Sequence, residues 1–168
     1  MKIGIFYAST TGNTERAAGL INDALSGAAD VEIHDVAADG LDAMSGCDVV
    51  ILGTSTWNYG ELQDTWASHE TLDGISLAGK KVALFGLGDQ GGFSDTYVNG
   101  MGILAEAAEA AGGELIGAWP TDGYEFSESR AVRDGKFVGL ALDEDSQGDQ
   151  TEDRVAKWTT QLKSELGL

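Results

Sequence analysis

Short apolar runs alternate along the chain with stretches in which apolar residues recur every three or four positions. Residues 3–8 form the first run, and Thr14, Ala18, Ile21 and Leu25 follow at helical spacing, with Gly27 as a stop. Val31, Ile33 and Val36 predict a second strand. Val49-Val50-Ile51-Leu52-Gly53-Thr54 is continuously apolar, as expected for a central parallel strand covered on both faces. A weakly marked helix is expected over about 63–72. Val82 to Gly86 reads as another buried strand. An Ala-rich helix over about 100 to 111 closes on Gly112-Gly113, and Leu115 to Trp119 reads as a fifth strand. The last helix starts near Thr151, with Glu152 and Asp153 in its first turn, where acids suit the helix dipole. Val155, Trp158, Leu162 and Leu166 form its inner face.

Residues 120–137 break this rhythm. They are polar and turn-rich, and too little chain separates them from the apolar run at 138–142 for a helical crossover. The simplest reading is an insertion that interrupts the fifth strand, which 138–142 resumes. The alternation predicts an α/β fold: a doubly wound, five-stranded parallel sheet with helices on both faces. Five strands favour the order 2-1-3-4-5. No repeat, linker or boundary is visible, so residues 1–168 read as one domain. In that strand order the topological switch falls between strands one and three, and the loops to inspect follow strands one, three and four.

Charge narrows the partners. The 168 residues carry 10 basic and 28 acidic side chains, a net charge of −18. Nucleic acid and anionic membranes are disfavoured, because their phosphates would be repelled. A basic protein partner, or simple solubility in salt, is favoured. No Lys or Arg occurs between positions 17 and 79 or between 82 and 129, so the acidity is spread over the chain. The lone Cys47 excludes an intrachain disulfide and reads as an inert buried thiol. His34 and His69 share no metal-type spacing with it, and no metal site is expected. No signal peptide or transmembrane stretch is visible, which gives a cytoplasmic expectation.

The first loop, Ser9-Thr10-Thr11-Gly12-Asn13-Thr14, joins a strand to a helix. Its hydroxyls and the helix N–H groups make an anion site without any cation, suited to a phosphate. It lacks the Lys of a nucleotide-triphosphate loop, so ATP or GTP hydrolysis is not expected. The second loop, Ser55 to Glu61, carries Trp57 where it can stack on a flat ligand, and Asn58 and Gly60 tolerate positive φ. The third, Gly86-Leu87-Gly88-Asp89-Gln90-Gly91-Gly92-Phe93, matches G-x-G-x-x-G. The helix after it begins late and no acidic strand end lies about twenty residues on, so a dinucleotide site is not expected. Its glycines let the backbone approach a ring edge, with Phe93 stacking. A phosphate loop beside two aromatic loops specifies a phosphorylated planar heterocycle, and FMN fits best.

On these residues the chain resembles the long-chain flavodoxins over essentially its whole length. The likeness rests on Ser9 to Thr14, Thr56 to Gln63, Gly86 to Gln90, Thr121-Asp122-Gly123-Tyr124, and Gly135 to Asp143. The family's long-chain insertion accounts for 120–137. The resemblance implies that Ser9, Thr10, Thr11, Gly12, Asn13 and Thr14 bind the FMN phosphate, with Thr56 close by. Trp57 would cover the inner ring face, and backbone groups of Asn58, Tyr59 and Gly60 would meet the N5/O4 edge. Gly88 and Asp89 would meet the pyrimidine end, with Thr96 and Asp145 near the ribityl or pyrimidine region. The family usually stacks a Tyr on the outer face; here that position is Phe93, so the ring remains and the hydroxyl is lost.

The implied function is a low-potential one-electron carrier shuttling between FMN semiquinone and hydroquinone, an electron-transfer protein and not an enzyme. A monomer is expected. Implied partners are redox proteins with basic faces, such as ferredoxin–NADP reductase, photosystem I or nitrogenase reductase. Glu61, Asp64, Asp95, Asp122, Glu125 and Glu128 are candidate docking acids. One rival is an FMN-dependent NAD(P)H:quinone reductase, which needs a nicotinamide pocket that the chain does not advertise. A receiver domain is the other. It needs a phosphoacceptor Asp at the end of strand three, where Thr54 stands, and an acid pair where Ser9-Thr10 stand.

Overall fold

The computed structural model describes residues 1–69 and 72–168. Its centre is a parallel sheet of β1 (Lys2–Tyr7), β2 (Asp30–Asp35), β3 (Val49–Trp57), β4 (Lys81–Leu87) and β5 (Leu140–Leu142), in the order β2-β1-β3-β4-β5. The sheet order is therefore the one the alternation predicts. Register is set by the apolar residues: Ile5 lies opposite Ile33 and Ile51, Ile51 opposite Ala83, and Phe85 opposite Leu140. Both faces of β1, β3 and β4 are covered, and Ile3, Ile5, Val50, Ile51, Leu52, Val82, Leu84 and Phe85 are all buried. Gly53 is forced by this packing. A Cβ there would come within 2.0 Å of the Phe85 ring.

Helices α1 (Asn13–Leu25) and α6 (Thr151–Leu166) pack together on one face, and α4 (Asn99–Ala110) lies on the other against β3 and β4. Among the described residues the other α-helices are single turns: α2 (Val36–Asp39), α3 (Asp64–Ala67) and α5 (Glu144–Gln147). On α1, Thr14, Ala17, Ala18, Ile21 and Leu25 are buried, and on α6 Val155, Trp158 and Leu162 are buried while Leu166 is partly so. Among the described residues no helix is long and apolar enough to cross a membrane.

Four elements differ from the sequence expectation. Val36 starts α2 instead of ending β2, because the Asp35 side chain accepts from the Ala37 amide and caps a helical turn. The helix expected over about 63–72 is described as one turn, α3, capped by Gln63; positions 70 and 71 lie outside the described residues. β3 runs on to Trp57 and folds back as a hairpin onto Glu61–Leu62.

The fifth strand is split, as expected, but its first half is shorter. Glu114–Leu115 pairs with the start of β4, and the chain then turns at Gly117, φ +79°. The Gly117 carbonyl accepts from Trp158 Nε1 at 2.8 Å and its amide donates to Glu165 at 2.9 Å, so α6 diverts the chain out of the sheet. Trp119–Pro120 thus belongs to the insertion, a small antiparallel sheet with Lys136–Phe137 between Trp119–Pro120 and Val132–Arg133.

Candidate cofactor site

A cleft of about 320 Å³ opens where the carboxyl ends of β1, β3 and β4 meet, and it is lined by all three loops singled out above. That volume lies within the roughly 300–1,000 Å³ typical of small-molecule sites.

The first loop supplies Thr11, Asn13 and Thr14 to the lining. Gly12 holds the N-cap position of α1 with φ +91°, and no side chain caps the helix. The first-turn amides therefore have no internal acceptor and await one from outside. Ser9 and Thr10 lie beside the lining and brace the loop. Ser9 Oγ accepts from the Gly12 amide at 3.1 Å, and Thr10 Oγ1 accepts from Gln63 Nε2 at 3.1 Å.

The second loop brings Ser55, Thr56, Trp57 and Asn58. Asn58 (φ +48°) and Gly60 (φ +98°) make the hairpin tip left-handed, closed by the Gly60 amide on the Trp57 carbonyl at 3.1 Å. A Cβ on Gly60 would lie 2.8 Å from Asn99 Nδ2 and 3.2 Å from Thr96 Cβ, so only glycine lets the tip sit on the start of α4. Thr56 Oγ1 accepts from the Gly100 amide at 2.9 Å and serves the first turn of α4. Tyr59 is 84 % exposed, outside the lining, with its ring edge-on to Phe93 at 6.1 Å between centroids.

The third loop gives Leu87, Gly88, Asp89 and Phe93. The Asp89 carboxylate accepts from the Gly91 and Gly92 amides, each at 3.0 Å, and Ser146 Oγ lies 3.3 Å away. Thr96 also lines the cleft, and its Oγ1 is buried without a partner. Of the residues proposed from sequence, Thr11, Asn13, Thr14, Thr56, Trp57, Asn58, Gly88, Asp89, Phe93, Thr96 and Asp145 share this lining. Ser9, Thr10, Gly12, Tyr59 and Gly60 sit at its rim or behind it.

Sequence reasoning passed over Ser55, Leu87, Tyr97, Val98 and Glu144, which also line the cleft. Ser55 and Leu87 were legible as strand-end positions of the two loops. Tyr97 is buried, its hydroxyl donating to the Leu142 carbonyl at 3.1 Å, so it does not stand in for the hydroxyl missing at Phe93.

Electrostatically the cleft has two ends. Its lining contains no Lys or Arg; Asp89 and Asp145 come together where the third loop faces α5, while Glu144 lies beside Arg16 in the first turn of α1. Carboxylate oxygens of Asp89, Asp143 and Asp145 lie within 4.8 Å of one another. Burial, and then the neighbouring Asp89, Asp143 and Glu144, push the Asp145 carboxyl above its ordinary range. Arg16, which touches Glu144 of the lining at 3.5 Å, is also engaged by Glu152 at 3.0 Å. Cys47 does not line the cleft; it is buried, with its thiol pushed up by desolvation, and Lys2 and Lys80 oppose that shift.

An open helix N-terminus, an orphaned hydroxyl and two ring-bearing loops around one cleft fit a phosphorylated planar ligand in a doubly wound domain. Comparison with known proteins gives the same class. The sequence model of the flavodoxin family matches residues 5–158. The flavodoxin of Picosynechococcus sp. is 48% identical over 168 residues, covering 99% of each chain. Flavodoxin 1 of Salmonella typhimurium is 42% identical, covering 98% of this chain and 94% of its own. Among solved structures, Fusobacterium nucleatum flavodoxin bound to flavin mononucleotide superposes with a TM-score of 0.92 at 34% identity, covering 98% of both. The chain belongs to the flavodoxin family. Flavodoxins are electron-transfer proteins, not enzymes, and work on redox-protein partners.

Proposed function

We propose that the cleft holds FMN and that the protein passes single electrons at low potential between redox proteins. The reading rests on one observation: the uncapped N-terminus of α1 opens into the same cleft as Trp57 and Phe93. FMN, when bound, supplies the electron chemistry. The chain binds, orients and shields it.

The phosphate is received by Ser9 to Thr14 through amides and hydroxyls, with Thr56 close by. Helix dipole and N–H donors replace the cation that the loop lacks. Trp57 covers the inner ring face and Phe93 the outer. The Asn58–Tyr59 peptide, at a left-handed tip, can offer N–H or carbonyl to the ring edge, which suits an edge that changes from acceptor to donor. Gly60 keeps that tip seated. Gly88 and Asp89 serve the pyrimidine end, Thr96 offers its unpaired hydroxyl, and Asp145 adds negative charge. The acidic end opposes extra negative charge on the ring and so lowers its reduction potential.

For partners, we assign basic faces of ferredoxin–NADP reductase, photosystem I or nitrogenase reductase to the acids around the cleft, with the chain acting as a cytoplasmic monomer. Electrostatic docking of this kind gives association rates that fall with salt.

Titrating the apoprotein with FMN and with riboflavin, followed by flavin fluorescence, tests the site. FMN should bind and be quenched, and riboflavin, lacking the phosphate, should bind more weakly. Equal affinity would remove the phosphate role of Ser9 to Thr14. Photoreduction with a reference dye tests the one-electron role, which uptake of both electrons at a single potential would overturn. Steady NADPH–quinone turnover by the pure protein would favour the reductase reading instead.

A further inference from the structure

We infer that Gln90 is a positioning residue that fixes the acidic end of the cleft and ties it to the insertion. The inference rests on the FMN reading above. Gln90 is 4% exposed and does not line the cleft, so its side chain is not needed for contact with an occupant. Its Nε2 donates to Asp143 Oδ2 at 2.9 Å, its backbone amide donates to the same oxygen at 3.0 Å, and its Oε1 accepts from the Glu125 amide at 2.6 Å. A carboxylate on one side and an N–H on the other admit only this orientation of the amide.

Asp143 is fully buried, and its other oxygen accepts from the Asp145 and Ser146 amides at 3.1 and 2.9 Å, capping α5. One carboxylate thereby holds both acid-bearing elements of the cleft. Through Gln90 it holds the loop that carries Asp89, and through its cap it holds the turn that carries Glu144 and Asp145. Gln90 extends the same brace to Glu125 in the insertion. The insertion turn is itself fastened: Gln147 Nε2 donates to the Gly123 carbonyl at 3.0 Å, and the Tyr124 hydroxyl donates to the Ala141 carbonyl at 2.6 Å.

The spacing of Asp89 from Asp145 sets the field on whatever the cleft holds. A residue that fixes this spacing therefore acts on reduction potential as well as on affinity. A bystander in the core would lower stability and leave the potential alone. Gln90→Leu leaves the Glu125 amide without its acceptor and takes one of the two donors from Asp143 Oδ2, and Gln90→Glu sets a second carboxylate against Asp143, so each disturbs the arrangement that Gln90 pins.

The test compares Gln90→Leu and Gln90→Glu with the parent and with Val155→Ala, a buried α6 position that contacts none of these loops through hydrogen bonds. Folding is checked by far-UV circular dichroism and thermal midpoint. FMN dissociation constant and midpoint potentials are the readouts. Both Gln90 variants should bind FMN about tenfold more weakly or worse, as expected for one or two lost buried hydrogen bonds. They should also shift the potential, whereas Val155→Ala at equal stability loss should keep both. Should Leu prevent folding, the isosteric Glu variant carries the comparison. Parent-like affinity and potential in the Gln90 variants, or an equal shift in Val155→Ala, would overturn the role of Gln90. Failure of the parent itself to bind FMN would overturn the reading beneath it.

Discussion

The first and third loops meet at the same cleft and treat their backbone amides in opposite ways. Between Ser9 and Thr14 the helix amides are left open, with only Gly12 served, by Ser9. Between Gly88 and Phe93 the amides of Gln90, Gly91 and Gly92 are already taken by the carboxylates of Asp143 and Asp89. One loop keeps its donors for an incoming anion. The other has them bonded to carboxylates, its own Asp89 and Asp143 at the cap of α5, and presents negative charge. A chain of net charge −18 thus makes an anion site from backbone amides and hydroxyls without a cation, and sets Asp89 and Asp145 elsewhere in the lining of the same cleft.

The strongest way to break this contrast is to put a carboxylate on the open end. Asn13→Asp should lower FMN affinity on the order of a hundredfold by repulsion of the phosphate, and spare riboflavin. The same change favours the helix dipole, so the apoprotein's thermal stability should hold or rise. Loss of affinity together with loss of stability would instead indicate a damaged loop.

The next effect lies behind the third loop. Burial pushes the Tyr124 hydroxyl up to about 12, with Arg154 opposing, and raises Tyr97 further still. Their neutral forms are favoured in the folded state. The stability they contribute is complete below pH 10, the ordinary tyrosine value, and is lost as pH rises through the folded value. For Tyr124 alone that amounts to roughly 2–3 kcal/mol between about pH 10 and 12. Denaturant unfolding across this range, with ultraviolet titration of tyrosinate, should show it, and Tyr124→Phe should flatten the profile.

Removing charge at the closed end is gentler. Asp145→Asn should raise the lower reduction potential by about 45 mV, if one charge acts from roughly 10 Å at an effective dielectric near 30. Spectroelectrochemistry that finds no shift would mean the acids there are screened. The smallest effect is expected at Phe93. It is 40% exposed, so a hydroxyl added by Phe93→Tyr reaches water easily, and FMN affinity should change by no more than about threefold.

Periodicity carried the sheet because the strands that matter are buried on both faces. Ile3 to Phe6 and Val49 to Leu52 leave no polar alternation to misread. It failed where a side chain or a partner element overruled local pattern. Asp35 caps a turn at Val36, and α6 bends the chain at Gly117, 41 residues earlier in sequence than Trp158. The lining was legible where loops carry unusual residues, such as Trp57 after an apolar strand. Glu144 and Val98 escaped notice because each reaches the cleft from an element whose position depends on the whole sheet. Gln90 was visible as part of G-x-G-D-Q, but its two partners, Asp143 and Glu125, both more than 30 residues away, are tertiary facts.

The chain leaves the sheet after Leu115 and rejoins it at Leu140, and both residues border β4: Leu115 beside Val82 and Leu140 beside Phe85. Exit and re-entry are therefore only about 10 Å apart along one strand, three residues at roughly 3.3 Å each. Such a gap accepts a short bridge or a different cassette without reordering the helices on either face of the sheet. Any graft there, however, must bring a backbone N–H to the spot that Glu125 now occupies, or leave an amide oxygen stranded underneath.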